Sequence, residues 1–282
     1  MIGQKIANGN GFSIIIEVVP PAGPDADALL AALAAVTPLG VDGFSVATNP
    51  VAKPRMSAMA VCSLIQQKTG QSAVLHCTTR DHNRLSLQGL LWGARALGIE
   101  TVLVTTGDFV ALKDRGVTTD VRDTDIFGLL AMAREAGLYA GVVFDPFLET
   151  GRLAKATARL DQKVQAGAQF VVTQPAYDDA GADLLAEATK SCGLPVVMGI
   201  LPLRTPKHAE FLHHKVSGIV VPETVRKQMH QAADPIQQGN ANARHTLALA
   251  RDRFAGACIM PPFDHYEVIF GILGEPSGGS DA

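Results

Sequence analysis

Short β-rich runs alternate with longer amphipathic stretches along this 282-residue chain, and that alternation constrains the fold more than any other feature. Nine runs read as strands: 12–19 (FSIIIEVV), 41–48 (VDGFSVAT), 73–77 (AVLHC), 101–107 (TVLVTTG), 139–145 (YAGVVFD), 169–174 (QFVVTQ), 195–201 (PVVMGIL), 216–221 (VSGIVV) and 256–261 (GACIMP). Between them, DADALLAALAAV, RLSLQGLLWGARAL, DIFGLLAMAREAG and LAKATARLDQKVQAG repeat apolar residues at helical spacing. Several stop at a glycine before the next strand. Such a chain builds a parallel sheet, either closed into a barrel or open and doubly wound. Polar residues separate the two. Glu17, Thr48, His76, Asp108, Asp145 and Gln174 each fall at or just past the C-terminal end of a different strand. A barrel gathers all those ends into one mouth, whereas an open sheet collects ligands at a switch point fed by fewer strands. The pattern favours the barrel, although nine runs is one more than eight strands need.

The chain is 47% apolar and carries 24 basic against 27 acidic residues, a net charge of −3. That suffices for one large α/β domain or two ordinary ones. It leaves no electrostatic footprint for nucleic acid or a membrane surface. No run is long and apolar enough to span a bilayer, and MIGQKIANGN lacks the architecture of a signal peptide. Cys62, Cys77, Cys192 and Cys258 stand far apart without a CxxC pair. We expect reduced thiols in a cytoplasmic protein, with no disulfide framework and no metal or iron–sulfur site. One Trp and three Tyr also disfavour an aromatic platform for single strands.

Glu17 is the residue most in need of explanation, because it ends a run of three isoleucines. A buried unpaired carboxylate is strongly disfavoured, so the group is solvated, paired or chemically used. The prolines of VVPP stiffen the exit and weaken the solvated reading. A carboxyl in an apolar mouth has a raised pKa and becomes a usable general acid near neutrality. Asp108 follows a Thr-Gly pair that is ordinary turn chemistry, although Gly107 would let a flat ring approach the backbone. His76 alone reads as a satisfied core histidine. Gln174 both donates and accepts, which suits the edge of a heterocycle. Lys163 lies on a helix, where it is either solvated or a point charge for a cofactor phosphate. That placement also argues against a Schiff-base lysine. The RDHNR string at 80–84 reads as helix entry with surface salt bridging, and His213-His214 point apart on a helix. No P-loop, GxGxxG, GxSxG or HExxH occurs, so any nicotinamide or flavin is not held in the Rossmann manner.

Taken together, IEVVPP, FSVATNPVAKPRMS, LHCTTRDHNRLSLQGLLWGARALGIETVLVTTGD, KVQAGAQFVVTQPAYD, MGILPL, GIVVPETVRKQM and GACIMPPFDHYEVIFGIL resemble the methylenetetrahydrofolate reductase family, in order from about 12 to 274. The resemblance is strongest to the branch often fused to a homocysteine methyltransferase. It implies a single (β/α)8 TIM barrel over 1–282, with extra helices before the last strand, 256–261 as the eighth strand and 216–221 in a helical excursion. It further implies FAD at the mouth, NADH or NADPH as electron donor, and flavin-dependent reduction of 5,10-methylenetetrahydrofolate to 5-methyltetrahydrofolate in one-carbon metabolism and methionine biosynthesis. Glu17 matches the general acid, and Asp108 the aspartate that contacts the pterin and tunes the flavin. Gln174 and Tyr177 match the folate side, and Thr48, His76, Thr106, Gly107, Asp108 and Lys163 the cofactor side. The chain departs from enteric-type members at Thr105-Thr106, where they have Leu-Arg, so one arginine contact to the cofactor is missing. It departs again at Pro175-Ala176-Tyr177, at Phe144-Asp145-Pro146 and at Ala156. A homo-oligomer is expected by resemblance, and the length leads us to expect no adenosylmethionine-responsive regulatory domain. Two other readings stay open. One is a folate-binding oxidoreductase subunit that takes electrons from a partner protein, or works oxidatively in a demethylation pathway. The other is a binding relic, disfavoured because Glu17, Asp108 and Gln174 occur together.

Overall fold

Eight of the nine candidate runs pair as parallel strands and close on themselves in the computed structural model, which describes residues 2–9, 11–146 and 153–274. The strands are β1 (Ser13–Val18), β2 (Gly43–Val46), β3 (Ser72–Thr78), β4 (Thr101–Thr105), β5 (Tyr139–Phe144), β6 (Phe170–Pro175), β7 (Val196–Ile200) and β8 (Gly256–Ile259). They follow one another around the barrel, and β8 returns to β1 through the register Ser13↔Gly256 to Ile16↔Ile259. One helix follows each of the first six strands: α2 (Asp27–Val36), α3 (Ala58–Thr69), α4 (Arg84–Ala96), α5 (Ile126–Glu135), α6 (Leu153–Gln165) and α7 (Asp179–Thr189), with α1 (Ile2–Ala7) ahead of them all. Three helices separate β7 from β8: α8 (Pro206–Lys215), α9 (Glu223–Gln231) and α10 (Pro235–Arg253). α11 (Val268–Leu273) follows β8. This is a (β/α)8 TIM barrel with an enlarged last crossover.

The run 216–221 is not a strand. It is the turn between α8 and α9, closed by the Ile219 amide on the Val216 carbonyl, with Gly218 in the left-handed region at φ +82. Its Val221 packs with Tyr177, Leu203, Leu212 and Met229 in a satellite core. A closed barrel leaves no edge for a ninth strand to join.

Side chains alternate along each strand between two cores. Ile14, Ile16, Phe44, Leu75, Val102, Val142 and Met198 face outward into the large core shared with the helices. Ile15, Val74, Leu103, Phe170, Val172, Val197 and Cys258 fill the interior. Gly141 makes room for the Phe170 ring there, since a Cβ at 141 would lie 2.2 Å from it.

α1 stoppers the N-terminal end of the barrel. Its Ile2 and Ile6 join the interior core, and Lys5 pairs with Asp42 at 2.7 Å. Gly3 lets the helix sit so close that a Cβ would fall 2.4 Å from Thr101 Oγ1. Chemistry is therefore left to the opposite end, where the strand C-termini and their loops gather. Among the described residues, no helix is long and apolar enough to cross a membrane. All four cysteines are buried and free.

Candidate active site

The two-residue period that turns Ser13 and Ile15 inward also brings Glu17 to the interior face, at the mouth end of β1. The prolines after it are tied down: the Pro20 carbonyl accepts from Arg55 Nη1 at 3.4 Å, and the Pro21 carbonyl accepts from the Met56 amide at 2.9 Å. The Glu17 side chain is half-buried and makes no hydrogen bond to a described residue. Burial first, and the nearby Asp108 charge second, lift its pKa from 4.5 to about 7. Both forms of the acid are then populated at neutral pH, as proton transfer requires.

Across the β1–β2 ladder, Glu17 pairs in register with Ser45, whose hydroxyl lies 2.7 Å from His76 Nε2 on β3. Burial takes His76 down to about 4, so the ring is neutral near pH 7. The Thr48 hydroxyl donates to the His76 carbonyl at 2.5 Å. Thr48 and His76 also line a cleft of about 240 Å³, together with Arg55, Met56, Thr78 and His82.

Thr106, Gly107 and Asp108 form the turn that leaves β4. Gly107 has φ +72, and a Cβ there would press at 3.2 Å on the Cβ atoms of Thr78 and Arg80. The Asp108 carboxylate accepts from the Val51 amide at 2.5 Å. That amide belongs to a strained loop, because Asn49, Val51 and Ala52 have φ of 43, 50 and 53. Each left-handed non-glycine residue costs about 1–2 kcal/mol, and a β-branched one such as Val51 is an outlier.

RDHNR is not the surface string its charges suggest. Asn83 does cap α4, accepting from the Ser86 amide. Arg80, however, is only 1% exposed, the largest fully buried side chain among the described residues. Its guanidinium is bidentate to Asp81, Nε to Oδ1 at 2.5 Å and Nη2 to Oδ2 at 2.7 Å. Sequence reasoning missed Ser45, Asn49, Val51 and Arg80; the only local hint was an Arg-Asp pair directly after a strand.

The sequence pattern of methylenetetrahydrofolate reductase matches residues 2–250. The chain belongs to that family. Among solved structures it is similar to an uncharacterized protein from Clostridium thermocellum that binds two copies of 5-methyl-5,6,7,8-tetrahydrofolic acid. That match has a TM-score of 0.66 at 14% identity, over 98% of this chain and 97% of the other. It is also similar to tryptophan synthase from Mycobacterium tuberculosis (TM-score 0.56, 16% identity, 98% and 95% covered) and to a mutant tryptophan synthase alpha-subunit from Pyrococcus furiosus (0.56, 14%, 94% and 98%). At these identities the likenesses speak for the barrel alone.

The remaining residues assigned by the methylenetetrahydrofolate reductase resemblance lie on β5, β6 and their flanks. Gln174 sits where the β6–β7 ladder slips between Val172 and Pro175. It is half-buried, and its amide makes no hydrogen bond to a described residue. Lys163 reaches back from α6 to donate to the Val143 carbonyl at 2.6 Å. Burial, then Arg159, lowers it to about 8, so it is no freely solvated helix charge. Tyr177 is the residue of this set that the barrel buries most deeply. Its ring is 2% exposed within the satellite core, and its hydroxyl is buried without a partner. Asp145 sits beneath the α8–α9 turn, where a Cβ on Gly218 would lie 2.2 Å from its Oδ2. The structure thus brings Glu17, Thr48, His76 and Asp108 into one bonded or electrostatically coupled group, while among the described residues no hydrogen bond or ion pair joins Gln174 or Lys163 to it.

Proposed function

We propose that this member of the methylenetetrahydrofolate reductase family works as one reductase domain over residues 1–282, converting 5,10-methylenetetrahydrofolate to 5-methyltetrahydrofolate with FAD at the barrel mouth. The observation that carries the reading is Glu17, an interior acid poised near pH 7 beside Asp108. Opening the bridged folate requires a proton on a ring nitrogen, and a carboxyl that is half protonated at neutrality can deliver it. Burial first, and the Asp108 charge second, keep that acid protonated. Gln174 has both ends of its amide available for a pterin edge. The neutral His76 ring, held by Ser45, forms a fixed wall beside them.

The residues fit a flavin. Gly107, at φ +72, packs the β4 turn against Thr78 and Arg80 and so sets the backbone that carries Asp108 at the mouth. Lys163 uses one of its three N–H bonds on Val143, leaving two for a phosphate. Thr48, His76, Thr106 and Gly107 complete the set that would hold it. FAD, when bound, supplies hydride chemistry that no side chain can. NADH or NADPH is the proposed donor, and the tetrahydrofolate bound by the Clostridium thermocellum protein supports the substrate class.

A second reading, electrons from a partner protein, is favoured by the exposed Phe109, Leu112 and Val117 on the loop beside Asp108. Absorbance of the purified protein tests both. A flavin spectrum bleached by NADH or NADPH and restored by methylenetetrahydrofolate supports the first reading. A flavin bleached by neither nucleotide supports the second. No flavin, and none taken up when FAD is added, overturns the flavin-dependent function.

A further inference from the structure

Arg80 holds Asp108 from two sides. Its Nη1 donates to the Asp108 carbonyl at 3.1 Å, and its Nη2 donates to the Asn49 carbonyl at 3.0 Å. Asn49 opens the left-handed loop whose Val51 amide binds the Asp108 carboxylate. One guanidinium therefore fixes both the backbone that carries the carboxylate and the loop that grips it. Asp81 orients the guanidinium, and Asn49 Nδ2 donates to the same Asp81 carboxylate at 3.1 Å. The Arg80 carbonyl accepts from the Val121 amide at 2.9 Å, which anchors it to the loop that follows Asp108.

We propose that Arg80 is the positioning residue of Asp108: a buried fork that locks the strained loop at 49–52 onto the β4 turn and so fixes the carboxylate beside Glu17. Arginine suits the task because a planar fork can serve a carboxylate and two carbonyls at once, whereas lysine offers a single flexible point. The inference rests on Glu17 and Asp108 being the site proposed above, but it needs neither bound flavin nor a direction of reaction.

The test is the titration of the Glu17 carboxyl, followed by carbon NMR in the ligand-free protein. Among the described residues, Asp108, Cys258 and Tyr266 are ionisable groups coupled to Glu17, and of these three Asp108 is the one bonded to Arg80. The wild-type carboxyl should titrate near 7. Asp108→Asn should bring it toward the ordinary carboxylate range. Arg80→Lys keeps the positive charge but loses the fork, and should move Glu17 in the same direction. The double variant should go no lower than Asp108→Asn alone. A folded Arg80→Lys protein with Glu17 at its wild-type value overturns the proposal, and so do additive shifts. Should Arg80→Lys fail to fold, the wild-type guanidinium decides: separate Nη proton signals with hindered rotation support the clamp, and a freely rotating group refutes it. If these titrations behave as expected while methylenetetrahydrofolate fails to reoxidise the flavin, the functional reading falls and the clamp stands.

Discussion

Glu17 sets a pH dependence in both catalysis and stability. With a folded-state pKa near 7, the acid form is lost as pH rises through 7, so folate reduction should slow above that point. Glu17→Gln keeps size and polarity but carries no transferable proton. It should leave flavin reduction intact and slow reoxidation by methylenetetrahydrofolate about 10²–10⁴-fold, with a flat pH profile; stopped-flow measurement of the two half-reactions checks this. Stability should also fall as pH rises, and here the substitution should bring a gain. The folded chain holds this proton more tightly than the unfolded one, whose value is 4.5, so the penalty is absent below 4.5, grows up to about 7 and is complete above it. The difference amounts to about 3 kcal/mol, and denaturant titration at pH 8 should find Glu17→Gln more stable than wild type, with no gain at pH 4. Gln174→Ala, by contrast, should raise the folate KM by the equivalent of about 1–3 kcal/mol and spare flavin reduction by the donor. Equal loss in both half-reactions would remove Gln174 from the folate site. Glu17 was legible in the sequence because a charge after three isoleucines contradicts its own neighbourhood. Arg80 was not, because its burial depends on carbonyls 28 and 31 residues away, at Asp108 and Asn49.

Elements were read from pattern, and the pattern failed where two structures share one composition. The eight true strands combine β-branched residues with neighbours that complete a ladder. VSGIVV has the same residues, but its apolar side chains serve the satellite core of α8 and α9. Local sequence does not distinguish a strand from a buried turn. Within β5, Gly141 gives a sharper instance of fit between elements. It is the position that admits the Phe170 ring to the interior, so Gly141→Ala should destabilise the barrel by about 1–3 kcal/mol through overpacking. Gly141→Ala combined with Phe170→Leu should recover part of that loss, and simple additivity in a double-mutant cycle would refute the contact.

At the scale of the whole molecule, the barrel has one stoppered end and one working end. Ile6 is fully buried against the interior core from below, so Ile6→Ala should cost about 2–5 kcal/mol in chemical denaturation while folate and flavin affinities stay unchanged. The placement of this stopper also has a consequence in time. α1 precedes every strand in the chain, yet it rests on Thr101, Tyr139 and Phe170. Its seat does not exist until β6 has been synthesised and joined to the earlier strands. A helix N-terminal to all eight strands is thus among the last elements to find its place, through contacts of long sequence separation. The lost energy of Ile6→Ala should then appear almost wholly as faster unfolding, with the refolding limb of the chevron barely moved. A slowed refolding limb would mean instead that the helix nucleates the barrel it closes.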